Sequence, residues 1–428
     1  MSLSRKAFLG AIGALALAGT AQAAEDSMDT VLGRALFERL WVSAPSSTKA
    51  ADGLGPLFNA RACSSCHQGG GRAKVSLQEG DLPASAGLAL RVGATQDGTL
   101  VPHPQLGSQV QTFAVPGLAP ESRLHVTFET HIETLSDGTA VELRRPRIRV
   151  DGEDRLTDLA WVSPRLAPDL RGAGLLERVP LTWLAAQADP DDLDGDGISG
   201  AVVMGQYGEQ DIEPGRFGWK GEEPDLPHQV SAAFHFDLGL STPLRRAAWG
   251  DCTEAQADCR VAPHGADKGG VEVESNVVAL VATYLRALPA PEPSNAVNER
   301  GRALFAEIGC GACHASRVPA ELAGGDTTWF APYTDLLAHD MGDGLADRAF
   351  DDTVSQVAGA HDWRTAPLWG LGARVAAKDG ANLLHDGRAR SVLEAILWHG
   401  GEAAPAKQRA AALSAEDRAS LIAFLESL

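Results

Sequence analysis

The residues with the most chemistry to offer are two five-residue phrases of one pattern. They are "CSSCH", with Cys63, Cys66 and His67, and "CGACH", with Cys310, Cys313 and His314. Three chemistries use two thiols at this spacing. A thioredoxin-like redox dithiol uses the pair alone, wants a βαβ setting that this chain lacks, and has no need of the histidine. One zinc shared by all four thiols needs ribbon-like spacing, and the pairs lie about 250 residues apart. Covalent attachment of haem c uses every residue. Two thiols on one turn bond the two vinyl groups, and the adjacent imidazole is held beneath the iron as proximal ligand. Histidine supplies 12 of 428 residues, so one after each pair is about a one-in-a-thousand coincidence. The expectation is two covalently bound haem c groups, with His67 on the first iron and His314 on the second.

The elements around the motifs repeat as well. "GRALFERLW" begins at Gly33 and "GRALFAEIGCGACH" at Gly301. Each sets Leu and Phe side by side on a helix ahead of a Cys-x-x-Cys-His phrase. Phe305 stands five residues before Cys310, whereas an insertion with "PSSTKAADGLGP" separates Phe37 from Cys63. Each half closes on an amphipathic helix. "SNVVALVATYLRAL" aligns Val277, Leu280, Val281, Tyr284, Leu285 and Leu288. "SAEDRASLIAFLESL" aligns Leu421, Phe424, Leu425 and Leu428 behind a capping-box start at Ser414 and Asp417. "PAPEPS" between the halves is a linker. The expected fold class is mainly α, with two cytochrome c-like haem domains over 24–290 and 294–428. The first carries a large insertion: residues 123–150 are rich in Val, Thr, Phe and Ile and hold an Asp137-Gly138 turn, so they predict β-strands.

Length supports two or three domains. A formal charge of −19 argues against a nucleic-acid partner and reads as a solvated acidic surface. Arg5 and Lys6, an apolar run over 7–18, and Ala21-Gln22-Ala23 read as a signal peptide over 1–23, which places the mature protein in the periplasm. The run is too short to span a bilayer comfortably, and no other long apolar run follows. In an oxidising compartment Cys252 and Cys259, in the polar loop "GDCTEAQADCR", pair as a disulfide. "DPDDLDGDGISG" is similar to an acidic calcium loop through Asp192, Asp194 and Asp196, without the closing glutamate; a solvated acidic turn is the alternative.

Six further phrases carry a resemblance. They are "SPRLAPDLRGAGLLERVP" (163–180), "DGDGISG" (194–200), "GRFGWKGEEPDLPHQVSAAFHFDLGLSTP" (215–243), "YTDLLAHDMGDGLAD" (333–347), "DWRTAPLWGLG" (362–372) and "LLHDGRARSVLEAILWHGGEA" (383–403). With the two haem motifs they resemble the di-haem oxidoreductase family, often labelled "thiol oxidoreductase", a relative of the bacterial di-haem cytochrome c peroxidases. The resemblance implies a peroxidase-like oxidoreductase that passes electrons from one haem to a reactive second haem. Its partners would be a small electron-donor protein and peroxide or another small oxidant. A thiol-oxidising role has little support, because thioether bonds would occupy all four motif cysteines. The alternative is a non-catalytic di-haem electron carrier, serving periplasmic iron acquisition in one version.

The sixth position of each iron decides between carrier and catalyst. For the second haem, His399 is delivered by a helix that Ser391 and Glu394 cap. Related di-haem peroxidases resemble this stretch and place methionine where His399 stands. Met341, in "HDMG", is the alternative ligand. For the first haem, His235 in "AFHFDLG" is the candidate distal ligand or distal acid/base, with His103, His125, His131 and His228 also open. Glu177, in "GLLERVP", is the second candidate acid/base. His385 and Arg388, in "LLHDGRAR", are expected near a propionate of the second haem, with Arg390 beside them, and Arg72 follows the first motif. Trp398, next to His399, could relay electrons.

Overall fold

A computed structural model describes residues 27–428 apart from 76, 84–86, 97–98, 152–160, 207–211, 267–269, 295, 350–358 and 379. The expected signal peptide over 1–23 lies outside the described residues. The expected mainly α class is corrected: the chain is 31% helical with 20% strand. Among the described residues the strands fall into six small sheets. The physical reason is punctuation. Gly and Pro supply 46 and 24 residues, and neither sits well inside a helix. Between those breaks the chain closes short antiparallel ribbons, such as Val318–Glu321 with Thr327–Phe330 and Ala338–Asp340 with Asp362–Arg364.

The helices that do form obey the repeat. In the first half, Met28–Glu38 crosses the closing helix Ser275–Ala287; in the second, Glu299–Glu307 crosses Ala415–Leu425. The glycine of each "GRALF" phrase sits at its crossing. A Cβ on Gly33 would stand 2.0 Å from the Leu280 carbonyl oxygen, and one on Gly301 would stand 2.0 Å from that of Ser420. Four residues on, Phe37 meets Tyr284 with ring centroids 5.2 Å apart, and Phe305 meets Phe424 at 5.5 Å. These contacts seed two separate apolar cores, one holding Phe37, Phe234 and Val281, the other Leu304, Phe305 and Phe424.

The β insertion joins the halves. Leu124–Thr134 and Ala140–Val150 pair along their whole length as a hairpin, from Leu124↔Val150 to Thr134↔Ala140. Its tip packs on the C-terminal half: Leu135 and Leu143 belong to the second core, Asp137 pairs with Arg418 at 2.7 Å, and Glu133 pairs with Lys407 at 3.1 Å. A four-stranded sheet also crosses over, since Arg348–Ala349 adds to Trp161–Leu166, which pairs with Leu88–Gln96. Among the described residues, no helix is long and apolar enough to cross a membrane.

Candidate haem sites

Both motifs wind into one short turn. The His67 amide donates to the Cys63 carbonyl at 3.0 Å, and the His314 amide donates to that of Cys310 at 3.0 Å. This turn sets both thiols and the imidazole of each motif close together. The imidazoles are then oriented alike. His67 Nδ1 lies 3.2 Å from the Gly71 carbonyl oxygen, and His314 Nδ1 lies 2.9 Å from that of Tyr333. A carbonyl oxygen only accepts, so at His314 Nδ1 carries the proton and Nε2 keeps its lone pair, the arrangement a metal-ligating histidine needs; the His67 ring also lies beside the Pro168 carbonyl. Burial pushes the His314 pKa down to about 4 and also lowers that of His67, so both rings are neutral at neutral pH.

The rival chemistries lose ground here. A reactive dithiol needs a depressed thiol pKa. Burial instead pushes Cys63 and Cys66 up to about 12 and Cys310 up to about 11. Zinc needs the cysteines gathered. Among the described residues, no cluster of potential metal-ligating atoms holds two of the four.

The second motif opens on a cavity of about 290 Å³, whose wall includes Cys310, Cys313, His314, His399 and Met341. His399 follows the helix Val392–Trp398, which Ser391 caps by accepting from the Glu394 amide at 3.2 Å. Its Nδ1 lies 2.7 Å from the Ala395 carbonyl, so its Nε2 is also left as a free acceptor. Burial lowers its pKa. Met341 reaches the same wall because Gly400 packs on its carbonyl, where a Cβ would stand at 2.8 Å. Two thiols, two neutral imidazoles with free Nε2 atoms and a largely apolar wall fit a haem c held by Cys310, Cys313 and His314, with His399 or Met341 as second axial ligand.

At the first motif, Gly69 and Gly70 adopt left-handed φ values of 61° and 75°. At Gly70 the positive φ would strain any side chain, and a Cβ there would also push on the tip of Leu288 at 2.7 Å. The helix Leu226–Leu238 packs beside this motif, and after burial itself the half-buried Asp237 on it raises the pKa of both thiols. His235 lies on the same helix. Its Nδ1 is buried without a partner among the described residues, and burial, with Arg245 and Arg91 nearby, pushes its pKa down to about 4. The other histidines are engaged elsewhere. His125 bonds Asp81 and Asp151, His228 bonds Asp225, His103 accepts from the Gln105 amide, and His131 stacks edge-on against Trp398.

Glu177 is tied down. Its carboxylate accepts from Arg286 at 2.6 and 2.9 Å and from the Leu226 amide at 3.0 Å, so any proton transfer there would have to break that pair. His385 lines the second cavity and stacks on Trp363 at 3.7 Å with the rings 9° from parallel. Arg388 faces another cavity, where it pairs with Asp386 at 2.7 Å. Arg390 pairs with Glu394 and Glu142. Trp398 packs under Arg388 and Arg145, whereas the indoles on the haem cavity wall are Trp219 and Trp363. In the acidic loop Asp189, rather than Asp196, gathers with Asp192 and Asp194. Asp194 and Asp196 each accept a backbone amide two residues on. Cys252 and Cys259 are joined as a disulfide.

Sequence reasoning missed His339. Its buried ring bridges Asp335 at 2.9 Å and Glu402 at 2.8 Å on the cavity wall. Burial alone would lower its pKa, but the hydrogen bonds, led by that to Asp335, raise it, so the ring is an imidazolium. The Asp335–His339 spacing of four was the available signal.

The family model described as "Di-haem oxidoreductase, putative peroxidase" matches residues 11–121 and 109–428. A search of curated proteins finds no match. The match spans nearly the whole chain, over both Cys-x-x-Cys-His turns and the cavity beside the second, and the chain belongs to the di-haem oxidoreductase family.

Proposed function

We propose that this chain is an exported di-haem c-type enzyme that reduces peroxide or a similar small oxidant with electrons from a small donor protein. When bound, each haem supplies one-electron redox chemistry at its iron, and the axial ligands decide whether that iron can take up an oxidant. The observation that carries the reading is the difference between the two sites in prepared axial ligands. His314 and His399 line one cavity, each with Nδ1 bound to a carbonyl and Nε2 free. That arrangement suits a centre ligated from both sides, which receives electrons and excludes substrate.

Among the described residues His67 has no such opposite number. The candidate is His235, on the helix that also carries Asp237; its ring is neutral and its Nδ1 is unpartnered among the described residues. That nitrogen can take up and return a proton during O–O cleavage, so the N-terminal site is the reactive end. Domains over 24–290 and 294–428 match this division of labour. Export to the periplasm accords with the Cys252–Cys259 disulfide and with the compartment where haem c is attached.

Carbon monoxide added to the reduced holoprotein tests the reading. One iron should bind it and shift the Soret band, the other should not, and the protein should turn over hydrogen peroxide. Two unreactive irons and no turnover would leave the non-catalytic electron carrier.

A further inference from the structure

The wall of the C-terminal cavity holds more positive charge than the described residues neutralise. Arg72 and Arg374 both line it. Arg72 is buried, and among the described residues its side chain donates one hydrogen bond, from Nη2 to the Leu384 carbonyl at 2.7 Å. The Nε atoms of both arginines are buried with no partner among those residues. The two guanidinium groups are close enough that Arg374 depresses the pKa of Arg72, after burial itself.

Two carboxylates lie within electrostatic reach of this pair, Asp169 and Asp386. Each is already spent. Asp169 is held by Arg171 through two bonds of 2.9 and 2.6 Å, and Asp386 by Arg388 at 2.7 Å. Four arginines against two aspartates leaves two guanidinium charges over. The other cations of the wall are placed differently. Lys407 pairs with Glu133 at 3.1 Å, His339 bridges Asp335 and Glu402, Arg409 is exposed to solvent, and Arg364 donates to the Gly218 and Thr365 carbonyls with Asp335 within electrostatic reach. A buried charge without a counter-charge is costly, and the cheapest remedy is an anion from outside the chain.

We infer that Arg72 and Arg374 bind the two carboxylates that a haem carries as propionates, and that Arg72 thereby couples the two haem sites. The inference rests on the di-haem reading. Two unmatched guanidinium groups answer two carboxylates, and guanidinium–carboxylate pairs are the strong charge-assisted kind. The coupling follows from chain connectivity. Arg72 directly follows Gly71, the carbonyl that orients His67. One peptide therefore carries the orienting carbonyl of the first site and an anion clamp of the second. A change in charge at either end biases the other, and such coupling is reciprocal.

Spectroelectrochemical titration of the haem-loaded protein tests this, with R72Q, R374Q and the charge-conserving R72K. Removing a positive charge favours the ferric state, so R72Q and R374Q should each lower the C-terminal midpoint. The expected change is about tenfold in the ferrous-to-ferric ratio at fixed potential, 59 mV for a one-electron couple. R72Q should also move the N-terminal midpoint, R374Q should leave it in place, and R72K should recover most of the C-terminal value. A C-terminal midpoint unmoved in both glutamine variants overturns the clamp, and an unmoved midpoint in R374Q does so even if R72Q fails to fold. An N-terminal midpoint unmoved in R72Q overturns the coupling. Failure of the underlying reading looks different: protein matured in cytochrome-competent cells would carry no haem band at all.

Discussion

The two halves use one helix crossing and build different sites beside it. A Cβ on Gly33 or on Gly301 would stand the same 2.0 Å from a carbonyl oxygen, and each phenylalanine four residues on meets an aromatic of the closing helix at an inclined angle. From there they diverge. In the second half the motif follows its helix at once, and a capped helix returns His399 to the same cavity as His314. In the first half an insertion precedes Cys63, and the facing helix brings Asp237 and His235 with Arg91 and Arg245 close by. A shared scaffold positions the Cys-x-x-Cys-His turn, while the segment that returns towards its histidine would set what the iron of a bound haem can do. Ligand identity and nearby charge are the levers on such a centre.

The largest expected effect removes that asymmetry. His399→Ala should open the C-terminal iron, so that the reduced protein binds carbon monoxide at both haems; an unchanged spectrum would transfer the ligand role to Met341. His235→Ala should leave the C-terminal signal alone and slow peroxide turnover by about 100-fold or more, as loss of a general acid/base does.

The shared scaffold is tested next. Gly33→Ala and Gly301→Ala each force a methyl group against a backbone oxygen and should cost about 3 kcal/mol or more in denaturant unfolding. If one half tolerates the change, the crossings are not equivalent.

A smaller effect separates the halves by pH. In the first half burial raises Glu121 to about 8 and Asp251 to about 6. The fold therefore favours their protonated forms. Their contribution is full below the ordinary carboxylate pKa and is lost as pH climbs through 6 to 8. The net loss should be about a few kcal/mol, the size implied by carboxyl pKa values raised this far. In the second half burial would raise Asp386, but Arg388 outweighs it and holds the pKa at about 2. That contribution is present above 3.8 and is lost as pH falls through about 2. Hydrogen exchange between about pH 5 and about pH 9 should therefore loosen the segment around 108–121 while the segment around 386 stays protected.

The smallest effect is at the helix starts. Ser27 accepts the Thr30 amide at 3.1 Å, and Asn298 accepts that of Gly301 at 2.8 Å. Ser27→Ala and Asn298→Ala should each cost about 1 kcal/mol, read as a small drop in Tm.

What could be read along the chain was whatever its own neighbours decide. The Cys-x-x-Cys-His turns, the "GRALF" repeat, the hairpin over 123–150 and the cap at Ser391 all depend on residues a few positions apart, so spacing alone exposes them. The mainly α expectation failed on two counts: short local ribbons such as Val318–Glu321 with Thr327–Phe330 went unread, and other strands form where distant segments meet, as when Arg348–Ala349 joins the edge of Trp161–Leu166. The haem cavity is of the second kind throughout. Arg72, Trp219, His339 and Arg374 come to one wall from segments spread over about 300 residues, and whether a guanidinium group there is matched or left over depends on which carboxylates the fold has already paired. Composition can count charges, but only packing decides which of them face each other in the absence of water.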